Sequence, residues 1–220
     1  MGPEPPGRGP LVRLVPLLRP IVEPFGRRLL DFLARRRVTP DALTVSGTLV
    51  NGVAAALFAV GQLRLAGWIV ALAGLVDLLD GALARRTGRV SSFGAFLDST
   101  LDRWSDGALL VGLMVHFARA GRPGACAVAG AALVAAFVTS YARARAESLT
   151  SRTMKVGLLE RPERVALLAA AGVFGVPLLV SWLLAILGHV TAVQRILWVR
   201  QALSEAGPAH ASLAARGGAQ

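Results

Sequence analysis

From Ala42 to Leu63 the chain runs for 22 residues without a charged side chain. As a helix this stretch is about 33 Å long, enough to cross a hydrocarbon core of about 30 Å. The rest of the 220-residue chain is as apolar: 54% hydrophobic, 17% charged, with a mean hydropathy of +0.57. A soluble domain is about 45–50% apolar and about 25% charged. A single globule of this size cannot bury such a surplus, because its surface needs polar cover. Disorder, a coiled coil and an ordinary soluble enzyme are thereby excluded, and the sequence predicts an all-α integral membrane protein.

Thr39-Pro40 marks a helix start, with proline where a missing N–H costs nothing. Gly61-Gln62 allows a turn before a second apolar run, Leu65 to Val76, which continues into Asp77-Leu-Leu-Asp80. A polar loop is predicted at 86–92, a third helix from Phe93 to Ala118, a fourth from Pro123 to about Ala146, and a basic connector at 147–160. The uncharged run Val165–Gln194 has 30 residues, about 45 Å as one helix and too long for one span. Gly175-Val176-Pro177 breaks it into a fifth and a sixth span, the fifth short unless it starts near Pro162. Residues 21–37 carry Ile21, Val22, Phe25, Leu29, Phe32 and Leu33 at helical spacing among five arginines, the pattern of an amphipathic juxtamembrane helix at the interface. The bland alternative is a solvated basic arm. The expected organisation is a flexible tail at 1–20, a membrane domain at 21–204 and a second flexible tail at 205–220. No cleavable signal pattern is read at the start, and Pro6 defeats a myristoylation motif.

The net charge of +11 would elsewhere suggest nucleic acid. Here the bases sit beside apolar segments, as at cytoplasmic flanks facing anionic lipid headgroups, so no nucleic-acid partner is expected. Six spans place 21 basic residues on one side and leave Arg64, Arg119 and Arg122 on the other. That bias predicts both termini in the cytoplasm. Cys126 is alone, which excludes an internal disulfide and a cysteine-based metal site. His116, His189 and His210 are dispersed, and the four tryptophans include interfacial anchors.

The chemistry concentrates on the second and third helices. Asp77 and Asp80 are spaced i,i+3 on one, and Asp98 and Asp102 i,i+4 on the next, so each pair shares a face. A loop of about seven residues would make the two helices antiparallel neighbours. Four carboxylates meeting at membrane depth repel one another and are costly to desolvate. Partial protonation or hydrogen bonding to spare polar groups would relieve this but does not explain the paired spacings. Bound divalent cations do. Oxygen ligands without His or Cys suit Mg²⁺ or Mn²⁺, four charges suffice for two ions, and such ions commonly act on phosphates. Gly81, Ala84 and Gly94 let a bulky polar ligand approach the backbone, and Arg85 offers a fork to a phosphate.

Written out, this stretch is Asp77-x2-Asp80-Gly81-x2-Ala84-Arg85-x8-Gly94-x3-Asp98-x3-Asp102. It resembles the signature of the CDP-alcohol phosphatidyltransferase family at all eight fixed positions over 26 residues, a far more specific match than a lone glycine motif. Thr39-Pro-Asp-Ala-Leu-Thr44, Asp102-Arg-x-Ser-Asp-Gly107, Ser140-Tyr-x-x-Ala-Arg145-Ala-Glu147, Glu160-Arg-Pro-Glu-Arg164 and Val193-Gln-Arg195 look like the actinobacterial phosphatidylinositol phosphate synthases of that family.

The resemblance implies a six-helix homodimer in the plasma membrane, with the active site on the cytoplasmic face. It implies transfer from CDP-diacylglycerol to 1D-myo-inositol 3-phosphate with release of CMP, supported by Mg²⁺ or Mn²⁺, two per subunit. Asp77, Asp80, Asp98 and Asp102 would be the metal ligands, with Asp102 also the base on the inositol hydroxyl. Asp41, Ala42, Leu43, Thr44, Gly81, Arg85 and Ser91 would hold the donor. Ser140, Arg143, Arg145, Arg161, Arg164 and Arg195 would hold the inositol phosphate, although each arginine is also what positive-inside flanking provides. Asp106 continues the Asp98/Asp102 face and would pair with Arg103 or a pocket arginine. The same signature also serves glycerol 3-phosphate as acceptor, which would make the chain a phosphatidylglycerol phosphate synthase. A transporter with acids lining a cation path would instead spread them along the bilayer normal.

Overall fold

The structure, a computed structural model, describes residues 35, 36, 38–88, 90–150, 152–154 and 156–205, and the side chains of these except 78–82, 86 and 205. The expected juxtamembrane helix at 21–37 and the two tails lie almost wholly outside the described residues. Among the described residues, six helices follow Thr39 in order: α1 (Pro40–Ala59), α2 (Leu63–Thr87), α3 (Ser92–Arg119), α4 (Pro123–Thr150), α5 (Arg161–Val173) and α6 (Pro177–Glu205).

Local chemistry sets their ends. Thr39 caps α1, its hydroxyl accepting the Ala42 N–H at 3.2 Å, with Pro40 opening the first turn. The α1–α2 turn uses Gly61 at φ +85°, and α2 stops at Gly88, which takes the left-handed conformation that terminates helices at little cost. The α2–α3 connection is therefore only residues 88–91, shorter than the loop predicted at 86–92. Ser91 caps α3 by accepting the Gly94 N–H at 2.9 Å. Helix α4 runs past the expected end near Ala146 to Thr150. The break at Gly175-Val176-Pro177 is observed, and α5 starts at Arg161, beside the expected Pro162, yet it remains short. Its 13 residues make only about 20 Å of helix.

Each helix packs chiefly on two others, and the contacts close a ring in the order α1, α2, α5, α6, α4, α3. The expectation that α2 and α3 are direct neighbours is not met. Among the described residues they are not a principal packing pair, and α1 lies against both. Small residues make this possible: a Cβ on Gly112 of α3 would stand 2.4 Å from the Ala55 carbonyl oxygen of α1. On the other side of α2, a Cβ on Gly67 would run into the Val173 nitrogen and the Ala169 carbonyl oxygen, so α2 and α5 touch backbone to backbone. Phe58, Val70, Leu109, Leu113 and Phe117 fill the core. Large apolar side chains such as Leu49, Trp68, Leu72, Trp182 and Ile186 stay exposed. Three helices, α1, α4 and all but the last residue of α6, are long and apolar enough to cross a membrane, and the fold fits a membrane protein. Helices α2 and α3 are also long but carry the charges of the site.

Candidate active site

Helix geometry brings the acids together. Asp98 and Asp102 lie one turn apart on α3, and Asp77 reaches them from α2 across the ring. Ligand oxygens of these three carboxylates all lie within 4.8 Å of one another. Asp80 follows Asp77 by one turn on α2, and Gly81 follows it. The side-chain surroundings of both lie outside the described residues.

Arg161, from the first turn of α5, is set among these acids. Its Nη1 is 2.7 Å from Asp77 Oδ2 and its Nη2 2.7 Å from Asp102 Oδ1. Arg103 Nη1 is 3.7 Å from the other Asp102 oxygen and donates to the Ser99 carbonyl. Thr48, Asn51 and Ser105 line the same small cavity as Asp77, Asp102 and Arg161. Asn51 Oδ1 and Arg161 Nε are buried without a hydrogen-bond partner.

The residues fit a divalent metal. The ligand atoms are all carboxylate oxygens on two helices, close enough to share an ion, and three acids outnumber the two arginines beside them. Hard oxygen ligands of this kind match Mg²⁺ or Mn²⁺ and do not match the N/S preference of zinc.

A cavity of about 330 Å³ opens beside the acids between the start of α1, the end of α2 and the start of α3. Asp41, Thr44, Arg85, Ser91 and Asp98 line it. Four of the residues expected at the donor therefore share one pocket. Ala42 is exposed, Leu43 faces the small cavity at the acids, and neither lines this pocket. Gly94 allows the close approach of these groups: a Cβ there would lie 3.1 Å from Ser91 Oγ and 3.2 Å from Asp41 Oδ1.

Several of the arginines expected at the acceptor are engaged with internal partners. Arg164 is buried and pairs with Asp106, Nη2 to Oδ2 at 2.9 Å. It also donates to Thr139 Oγ1 at 3.0 Å and reaches Ser140 Oγ at 3.5 Å. Arg164 is thus the partner that Asp106 holds. Arg195, 4% exposed, donates to the Val156 and Thr139 carbonyls, clamping the α4–α5 connector to α6 and α4. Arg143 is partly exposed and bonds Glu147 at 3.2 Å. Arg143, Arg164, Glu147 and Glu160 are the charged neighbours of Arg195. Ser140 donates to the Ala136 carbonyl at 2.8 Å, and Arg145 is exposed.

Sequence reasoning passed over Asn51, Thr139 and Thr191. Asn51 is the one carboxamide within the uncharged run of α1 before Gln62, a signal that was available. Thr191 accepts the Leu159 N–H at 3.1 Å across the connector, a contact no spacing announces.

The family model of CDP-alcohol phosphatidyltransferases matches residues 37–194. An archaetidylinositol phosphate synthase of Pyrococcus horikoshii is 38% identical over 186 residues, covering 84% of this chain and 96% of the relative. A phosphatidylinositol phosphate synthase of Streptomyces avermitilis is 39% identical over 195 residues, covering 82% and 80%. Among solved structures, the phosphatidylinositol phosphate synthase of Mycobacterium tuberculosis with CDP-DAG bound aligns with a TM-score of 0.73 at 36% identity, covering 79% of this chain and 92% of that one. The same enzyme in complex with manganese and citrate gives 0.72 at 37% identity, covering 79% and 88%.

Proposed function

The chain belongs to the CDP-alcohol phosphatidyltransferase family, a phosphotransferase of phospholipid synthesis, and on that premise we propose that it transfers the phosphatidyl group of CDP-diacylglycerol to 1D-myo-inositol 3-phosphate. The observation that carries this reading is the meeting of Asp77, Asp98 and Asp102 at the edge of the pocket bearing Asp41, Thr44, Arg85 and Ser91. Relatives with different lipid names share the inositol phosphate product, and that supports the acceptor.

In this reading Asp77, Asp80, Asp98 and Asp102 would hold two Mg²⁺ or Mn²⁺ ions. Bound there, the metals supply positive charge to the donor diphosphate and stabilise the leaving CMP. Arg85 forks onto a donor phosphate, and Asp41 and Thr44 flank the nucleotide. The inositol hydroxyl oxygen forms a new bond to the lipid-bearing phosphorus while that phosphorus parts from the CMP oxygen. Asp102 takes the hydroxyl proton and orients the attack, with much of its effect coming from position. Arg143, Arg164 and Arg195 give the acceptor side its positive field, with Arg143 the accessible member. The enzyme is a homodimer of the plasma membrane, spanning it six times with the site and both termini cytoplasmic. Helix α5, about 20 Å long with its charged first turn included, falls short of the roughly 30 Å core, so its Arg161 end lies within the polar interior.

An acceptor panel tests the proposal. Membranes containing the protein, labelled CDP-diacylglycerol and Mg²⁺ are offered inositol phosphate, inositol, glycerol 3-phosphate and serine. Lipid product from inositol phosphate alone is expected. Preferred turnover of glycerol 3-phosphate would overturn the acceptor assignment and leave the family reaction in place.

A further inference from the structure

We infer that Arg161 is the resident cation of the acid cluster, neutralising Asp77 and Asp102 until a divalent ion displaces it toward Asn51. The inference rests on the proposed reading that this cluster takes a divalent metal. Three carboxylates with oxygens within 4.8 Å of one another repel strongly in a membrane interior and need a counter-charge. Arg161 supplies it from a helix 84 residues further along the chain than Asp77. Its fork does not grip one carboxylate with both arms. It spends one arm on each helix, at 2.7 Å to Asp77 and 2.7 Å to Asp102. A guanidinium in that place ties α2 to α3, the job an ion shared between the same acids performs.

The two occupants compete. A divalent ion on hard oxygen ligands approaches to about 2.0–2.1 Å for Mg²⁺ and brings twice the charge to the same group of oxygens. With the acids neutralised by the metal, the attraction that holds Arg161 falls away. The structure also shows where the side chain can go. Arg161 lines a groove of about 390 Å³ between α2 and α5, with Gly74, Val165 and Asn51 among its walls. Asn51 Oδ1 is a buried acceptor with no partner, and Arg161 Nε is a buried donor with none. Two unpaired and complementary groups at one cavity are what a second position of the arginine would satisfy.

The test reads metal binding and stability on the full-length protein in detergent micelles. Mn²⁺ affinity is measured by calorimetry, and thermal unfolding is followed in EDTA and in saturating Mn²⁺. Arg161→Gln should bind Mn²⁺ roughly tenfold or more tightly than wild type, since the competing cation is gone. Its midpoint in EDTA should fall, and Mn²⁺ should restore it by a larger increment than in wild type. Arg161→Lys, which keeps the charge and loses the fork, should fall between the two. Asn51→Leu should bind Mn²⁺ more weakly than wild type, because the displaced guanidinium loses its acceptor. Mn²⁺ affinity in Arg161→Gln equal to or below wild type would overturn the displacement and make Arg161 a support for the ligands. Unchanged affinity in Asn51→Leu would remove Asn51 as the landing point. A wild-type protein that binds no Mn²⁺ would overturn the metal reading itself, and so separate that failure from this one.

Discussion

Arg164→Ala should be among the most damaging single substitutions in the molecule. Its guanidinium, 6% exposed, joins three helices: Asp106 of α3 at 2.9 Å, and Thr139 and Ser140 of α4 at 3.0 and 3.5 Å, from its own place on α5. Removing one partner of a buried ion pair costs about 3–5 kcal/mol, because the remaining charge is left uncompensated. The upper part of that range is expected, since Asp106 Oδ1 already has no hydrogen-bond partner and only Oδ2 is paired. Thr139 and Ser140 add little to the loss, since each keeps its own helix acceptor at 2.8 Å. Replacing both charges by apolar residues of similar volume, Asp106→Leu with Arg164→Met, removes the stranded charge and should recover most of the stability. The assay is denaturant-driven unfolding in mixed micelles for wild type, each single variant and the double variant. A single variant within about 1 kcal/mol of wild type, or a double variant no better than Arg164→Ala, would refute the reasoning. Turnover divides the roles further: if Arg164 also draws the acceptor, the double variant regains stability and not activity.

Activity should require Mg²⁺ or Mn²⁺ and disappear with EDTA, and Asp80→Asn should lose metal-dependent turnover while the protein still inserts; full activity in a chelated sample would refute the metal assignment. Arg195→Ala should destabilise the protein by about 1.5–3 kcal/mol for each of the charged hydrogen bonds it gives the Val156 and Thr139 carbonyls, read by unfolding in mixed micelles, and unchanged stability would refute the clamp. After Cys126→Ser, a cysteine placed at position 121 should react with a membrane-impermeant reagent in intact cells and one at position 208 should resist it; the reverse would put the site on the wrong side for a nucleotide donor.

The helices and their breaks were legible because membrane solvation leaves few options: uncharged runs of span length, Thr39-Pro40 and Gly175-Val176-Pro177 each mark a boundary the structure keeps. What failed was neighbourhood. Chain order suggested that α2 packs on α3, but Gly112 lets α1 close on α3 to backbone contact and stand against both. No pattern within a single helix encodes that choice, since it depends on where small residues of two distant segments meet.

The acids and the arginines differed in legibility for one physical reason. A carboxylate in an apolar helix is costly and has no generic use there, so Asp77, Asp98 and Asp102 stood out and the structure gathers them. An arginine at a cytoplasmic helix end is cheap, and the same residue serves topology, an ion pair or a phosphate equally well. Arg161 and Arg164 are three positions apart, on neighbouring turns of one helix, yet the first bridges Asp77 and Asp102 and the second seals Asp106. The forks are committed to carboxylates brought near by packing, and only the packing says which. Under the proposed reading, an acceptor phosphate would have to win guanidinium groups from internal partners, or bind through the exposed Arg145 or through Arg143, whose partner Glu147 lies on its own helix. Selectivity on the acceptor side would then depend as much on the strength of those internal pairs as on the number of arginines.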